Sequence, residues 1–140
     1  MNYIKAIQKA LVNDPEINNY IEGRIQFLYM DAETPKPYIV LEEGERQNSN
    51  KTWSPYWLGG IDSFPVVFNI VTEFTNSVEG RKLRNLLIAK LNGFRGVLYE
   101  ENNEIIREGN IGRRRDFAPF YIEEKGWVVW WSEFLFRGKL

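Results

Sequence analysis

The sequence contains neither cysteine nor histidine. Their absence excludes thiolate and imidazole catalysis, Ser-His-Asp triads, zinc fingers and disulfide frameworks. The common serine-nucleophile and phosphate-loop motifs are missing as well. Acidic side chains are grouped at residues 42–45, 100–104 and 123–124, but neighbours on a strand point to opposite faces and cannot flank one bond. We therefore predict a protein that is not an enzyme and that uses no metal or other cofactor.

A long apolar run and an excess of charge are also lacking. No stretch approaches the roughly 20 apolar residues of a membrane span, and the first residues show no leader pattern. We therefore expect a protein made in the cytoplasm without a membrane partner. The chain has 18 Lys and Arg residues and 19 Asp and Glu residues, so its net charge is −1. Binding to nucleic acid would then require a local basic patch.

One basic cluster is a candidate for such a patch. Arg113, Arg114 and Arg115 follow one another in a segment, residues 109–115, that we predict to be irregular. These arginines could contact a phosphate backbone, so a small nucleic-acid-binding module is one alternative function. The other interpretation is a solvated or ion-paired loop, because acidic residues such as Asp116 lie nearby in the sequence.

Aromatic residues are abundant for a chain of this size. Five Trp, seven Tyr and nine Phe occur among 140 residues, and such side chains dominate both cores and protein interfaces. We predict that Trp53, Tyr56 and Trp57, in a loop over residues 47–60, are anchors for a partner chain. The alternative is that they fold back onto their own sheet. Trp130 and Phe134, on the final strand, are further interface candidates.

The apolar spacing predicts an α+β fold with a mainly antiparallel sheet and two helices packed on one face. The length predicts one domain over residues 1–140. Strands are expected over residues 24–30, 38–46, 64–75, 96–100, 104–108 and 127–136, with helices before Gly23 and over residues 78–92. Because the last strand is apolar on both faces, we expect one sheet face to stay uncovered and to drive oligomerisation. A curled sheet that buries both faces itself is the alternative.

The order of several short motifs resembles the tail-completion, or tail-terminator, family of long-tailed bacteriophages. An N-terminal helix and a short acidic turn precede the first motif. A strand over residues 64–75 and then a helix separate the second motif from the third. The motifs are Ile21-Glu22-Gly23-Arg24-Ile25, Pro35-Lys36-Pro37-Tyr38-Ile39-Val40 and Leu91-Asn92-Gly93-Phe94-Arg95-Gly96. The likeness spans most of the chain.

The resemblance implies a structural virion protein at the head-tail junction, present in the host cytoplasm during assembly. Such a protein forms a ring of identical subunits, typically a hexamer, on the last ring of the tail tube and ends its polymerisation. Its other partners would be the head-tail connector or stopper protein and the genome DNA that passes through the lumen. Another neck component, such as a stopper, is the nearest alternative.

Overall fold

The computed structural model describes residues 3–27, 34–35, 37–43, 47–48, 61–102, 104–116 and 118–139. None of the helices in these ranges is long and apolar enough to cross a membrane. The helices are α1 (Tyr3–Asn13), α2 (Pro15–Ile21) and α3 (Ser77–Leu91), and a short 3₁₀ turn spans Phe74–Asn76. The strands are β1 (Ile25–Phe27), β2 (Tyr38–Glu43), β3 (Gln47–Asn48), β4 (Ile61–Glu73), β5 (Phe94–Glu101), β6 (Glu104–Asp116), β7 (Phe120–Ile122) and β8 (Trp127–Lys139).

All of these strands belong to one sheet in the order β1-β2-β4-β8-β6-β5. Strand β3 pairs with β4 beside β2, and β7 pairs with β8 beside β6. Every pairing is antiparallel except β1 with β2. The α+β class with a mainly antiparallel sheet is therefore confirmed.

The N-terminal helical segment divides in two at Asp14-Pro15, so the described ranges contain three α-helices where the sequence predicted two. Asp14 caps α2, because its carboxylate accepts hydrogen bonds from the N–H groups of Glu16 at 3.0 Å and Ile17 at 3.2 Å. Pro15 occupies the first turn of α2, where its missing donor costs nothing. The break lets α1 and α2 bury separate apolar stripes against the sheet.

The main core lies between the helices and one face of the sheet, which we call the helix face. Four phenylalanines of β4 and β8 form its centre. The ring centroids of Phe64 and Phe136 are 5.5 Å apart, and those of Phe68 and Phe134 are 5.3 Å apart. The helices cover these rings with the buried side chains of Ile7, Leu11, Ile17, Ile21, Leu83 and Leu87.

The opposite face of the sheet, which we call the second face, carries its own apolar cluster. Tyr38, Val40, Val71, Trp127 and Val129 are each at most 4% exposed, and Ile122 of β7 packs against them. The expectation that this face stays uncovered is therefore wrong at its centre, where these side chains are almost fully buried.

Helix α3 approaches the sheet closely at Gly80. A Cβ atom built on Gly80 would lie 2.5 Å from Cδ1 of Trp130 and 2.7 Å from Cγ2 of Thr72. Neither Thr72 nor the indole can retreat freely, because both belong to central strands. Only glycine therefore allows this approach of helix to sheet.

We expect Gly80→Ala to destabilise the protein by about 1–3 kcal/mol, the usual cost of overpacking a core. At an unconstrained helix position the same change would stabilise the fold by about 1 kcal/mol. Urea unfolding at pH 7 measures the effect. Asn85→Ala, at an exposed position of α3, is the matched control and should change stability by no more than about 0.5 kcal/mol. An unchanged or higher urea midpoint of unfolding for Gly80→Ala would contradict the close approach of α3 to the sheet.

An ion-pair cluster joins the start of α2 to the end of α3. The ammonium group of Lys90 lies 2.9 Å from Oδ2 of Asp14 and 3.3 Å from Oε1 of Glu16. Partial burial pushes the pKa of Asp14 upward, but the hydrogen bonds from Lys90 and from the N–H groups of Ile17 and Glu16 outweigh it. The net result is that the pKa of Asp14 lies below its ordinary value of 3.8.

This lowered pKa predicts a pH-dependent contribution to stability. A carboxyl group with a depressed folded-state pKa stabilises the fold fully above its unfolded value, and the contribution is lost as pH falls through the folded value. At pH 7 we expect Asp14→Ala to cost about 1 kcal/mol, as is typical for a helix cap. The difference from the wild type should shrink below pH 3.8, as measured by urea unfolding between pH 2 and 7. Asn19→Ala, an exposed change in the same helix, is the control, and its stability difference from the wild type should not depend on pH. If the two variants showed the same dependence on pH, the stabilising role of the Asp14 carboxylate would be refuted.

Candidate protein-interaction surfaces

The predicted aromatic anchors Trp53, Tyr56 and Trp57 lie outside the described residues. Their role at an interface therefore stays a prediction. The other predicted site residues are in strands β6 and β8, where the register of the sheet determines their surroundings.

Trp130 lies on the helix face, beneath α3. Its ring packs beside Gly80, and the guanidinium carbon of Arg84 lies 4.9 Å from the ring centroid. This geometry is a cation–π contact, in which the positive charge of Arg84 meets the negative face of the indole. The half-buried Trp130 thus helps to fix α3 on the sheet, and only its remaining exposed part is free for a partner.

Phe134 is 0% exposed, which corrects the expectation that it lies at an interface. Its ring packs on Phe68 within the main core. The even-numbered residues of β8 point towards the helices, so an apolar residue at position 134 is needed to complete the core of this chain.

The basic triplet belongs to β6, so the prediction of an irregular segment over residues 109–115 is wrong. A bulge interrupts β6 and places Arg113 opposite Phe134 and Arg115 opposite Glu133. Positions 133 and 134 of β8 belong to opposite faces of the sheet, so the triplet does not run along one face.

Arg113 also has an acidic neighbour, as one interpretation of the sequence expected. Its guanidinium lies 3.2 Å from Oδ2 of Asp116, and the other carboxylate oxygen of Asp116 accepts a hydrogen bond from Ser132 at 2.9 Å. This pairing reduces the positive charge that Arg113 can offer to a phosphate. The side chains of Arg114 and Arg115 are outside the described set.

An exposed apolar surface, which we call the aromatic end, lies where the 3₁₀ turn after β4 contacts β7. It consists of Phe74 and Tyr121, which are 60% and 52% exposed. The rings of Phe74 and Tyr121 are 5.2 Å apart, and the N–H group of Phe74 donates to the carbonyl of Gly126 at 2.9 Å. Solvent-exposed aromatic groups of this kind are typical of surfaces that contact another protein.

A groove, which we call the arginine groove, lies near the other end of β8. It has a volume of about 550 Å³ and is lined by Arg95, Arg137, Glu108, Asn110 and three glycines. The glycines Gly96, Gly109 and Gly138 are direct partners across β5, β6 and β8. Arg95, Asn110 and Arg137 are direct partners in the adjacent row, so the two arginines lie on one face of the sheet on either side of Asn110.

Strands β5 and β6 continue past this groove as a two-stranded hairpin, which we call the acidic ribbon (residues 98–107). Strand β8 pairs with β6 only from Gly109 to Asp116, so within the described part of the chain the ribbon has no third strand. Its sequence contains Glu100, Glu101 and Glu104 against Arg107, a net charge of 1 − 3 = −2. Glu101 and Glu104 are direct partners at its tip.

The sequence predicted the hairpin that forms the ribbon but missed both the groove and the aromatic end. Phe74 continues the alternating row of β4 in sequence, yet the 3₁₀ turn Phe74–Asn76 removes it from that row. The groove is lined by residues that are far apart in the chain and meet only through strand register.

Within the ranges that the structure describes, no group of three or more acidic side chains is arranged to hold a metal ion. The surfaces that stand out are instead an apolar one at one end of β8 and a charged one at the other. The protein is thus an α+β domain fold whose candidate sites are broad surfaces.

Comparison with known proteins shows this fold in a virus-like particle. No protein-family model matches the chain, and no curated protein matches it. One solved structure with the same fold is a chain of the virion of a native gene transfer agent particle. The two chains are 14% identical, with a TM-score of 0.70, and the alignment covers 97% of this chain and 93% of the other. At this identity the comparison shows a shared fold.

Proposed function

We propose that the protein is a structural, non-enzymatic component of a phage-like virion. The supporting observation is the shared fold with a chain of the gene transfer agent virion, which extends over nearly the whole length of both chains. The sequence resemblance to tail-completion proteins points in the same direction independently, because it rests on the order of motifs in this chain.

Within that class, we propose a ring on the tail tube that ends its polymerisation and joins the tail to the head connector. A ring of identical subunits uses two different patches of each subunit and presents two different ends. This chain has the chemistry for two different contacts. The aromatic end and the arginine groove lie at opposite ends of β8, a strand of 13 residues, which corresponds to roughly 40 Å at 3.3 Å per residue.

The charge of the chain fits the passage of DNA through such a ring. A protein that grips a phosphate backbone neutralises many phosphates with Lys and Arg, and its affinity grows with their number. The net charge here is −1, and Arg113 is paired with Asp116. A ring of these subunits would therefore let DNA slide through its lumen. Another neck component, such as a stopper, would need the same properties, so the contact with the tube distinguishes the two roles.

Electron microscopy of tail tubes assembled with and without the protein tests this role. We expect rings at one end of each tube and shorter tubes as the ratio of this protein to tube protein rises. Tubes of unchanged length without end rings would contradict the terminator role, and rings bound only to the head connector would favour a stopper.

The aromatic end should serve one of the two axial contacts. We expect Phe74→Ser with Tyr121→Ser to abolish binding either to the tube or to the connector, but not to both, because the substituted side chains lie at one end of the sheet. Val12→Ser, an exposed change on α1, is the control and should bind both partners normally. Retention of both contacts in the double variant, measured by co-sedimentation, would remove the aromatic end from the assembly.

A further inference from the structure

We infer that the arginine groove contacts the phosphate backbone of double-stranded DNA. The inference rests on the proposed function, because the DNA that passes through the ring is the polyanion that such a subunit meets. It deepens that function by naming the residues that touch the DNA, which are Arg95 and Arg137 with Asn110 between them. The basic triplet of β6 is a different set of residues.

The register of the sheet places this row on the side away from the helices. Arg137, like Trp127, is an odd-numbered residue of β8 and therefore lies on the second face. Asn110 is its direct partner on β6, and Arg95 of β5 is the direct partner of Asn110, so all three side chains share that face. The helices pack on the helix face and leave the row accessible.

Both arginines of the row are available to an outside anion. Their side chains are exposed, and among the described side chains neither Arg95 nor Arg137 takes part in an ion pair. Arg113 differs in this respect, because its guanidinium lies 3.2 Å from a carboxylate oxygen of Asp116. The groove therefore offers more uncompensated positive charge to a phosphate than Arg113 does.

The row has the donors and the length that suit a phosphate backbone. Arginine can donate two hydrogen bonds to one phosphate, and the amide of Asn110 adds a further donor. Ser63 is the direct partner of Arg137 on β4 and extends the row with a hydroxyl group. Adjacent strands are about 4.8 Å apart, so Arg95 and Arg137 are separated by roughly 10 Å. One strand of DNA carries about three phosphates over that length of helix axis.

The lining of the groove favours phosphate over the surface of a protein partner. Protein interfaces have apolar or aromatic anchors at their centre. The described residues that line the groove are two arginines, one glutamate, one asparagine and three glycines, and none of them is such an anchor. The groove thus has the polar donors of a phosphate contact without the apolar centre of a protein contact.

Glu108 limits how tightly the groove can hold DNA. It precedes Asn110 by two residues on β6 and so lies on the same face, diagonal to both arginines at about 7–8 Å. The lining therefore carries a charge of 2 − 1 = +1. Contacts of this kind give a weak, sequence-independent attraction that allows a protein to slide along DNA. Such an attraction fits a ring through which DNA moves.

Fluorescence anisotropy with a short labelled DNA duplex tests the contact between about 50 and 200 mM salt. The groove variant carries Arg95→Gln and Arg137→Gln. We expect it to bind the duplex at least about tenfold more weakly than the wild type near 100 mM salt. The slope of log affinity against log salt should become shallower by at least about two, because each phosphate contact contributes about 0.9 to that slope.

A second variant should change the affinity in the opposite direction. Glu108→Gln removes the negative charge beside the row, so we expect it to bind the duplex about two- to threefold more tightly than the wild type. Unchanged or weaker binding would contradict the placement of the phosphates at this row.

A matched control separates the groove from a general effect of charge. Lys9→Gln with Arg81→Gln removes two positive charges from exposed positions of α1 and α3, on the other side of the sheet. This variant should bind the duplex like the wild type, and a loss as large as that of the groove variant would overturn the inference. Circular dichroism and thermal melting verify that each variant is folded.

The outcomes distinguish this inference from the proposed function. If the wild type did not bind the duplex, or if the groove variant had the same affinity and salt slope, the DNA contact would be overturned and the ring would remain as a proposal. If the wild type stayed monomeric with tail tubes yet bound DNA through the groove, the ring would be overturned and the DNA contact retained. A groove variant that binds DNA normally but loses the head connector would assign the groove to a protein partner instead.

Discussion

The fold depends on the pairing of β4 with β8, two strands of 13 residues that are aligned over their entire length. These strands are distant in the sequence, and helix α3 and the β5–β6 hairpin lie between them. Their register places Phe64 opposite Phe136 and Val66 opposite Phe134, which creates the aromatic centre of the core. The helices, the outer strands and the groove are all positioned relative to this pair.

The burial of the second face of the sheet changes the physical argument for assembly. An uncovered sheet face would make association a direct consequence of the hydrophobic effect. The second face is instead buried at its centre, so among the residues that the structure describes the exposed surfaces singled out above lie at the two ends of β8. Association through such surfaces depends on specific complementarity.

The sequence predicted the parts of the fold that follow from local spacing. The alternation in β4 and the spacing of Leu83 and Leu87 in α3 indicated the correct elements, because a strand and a helix repeat every 2 and 3.6 residues. The bulge between Arg113 and Arg115 and the 3₁₀ turn at Phe74 have no such repeat, and they decide where the arginines and the exposed ring lie.

Burial of Phe134 could not be predicted for a related reason. A strand that is apolar on both faces gives no indication of which face the chain covers by itself and which face a partner covers. Only the register with β4, which is distant in sequence, resolves this question, because it places Phe134 opposite Val66 and its ring against Phe68. The aromatic loop at Trp53, Tyr56 and Trp57 is beyond the described residues, and its role is still a prediction from composition.

Native mass spectrometry of the purified protein over a range of concentrations tests the central claim, self-assembly into a closed ring, most directly. The account predicts one dominant oligomer with a fixed number of subunits, because a ring has no free ends to extend. A spectrum that contains only monomer at every concentration, or an open-ended series of oligomers, would contradict it.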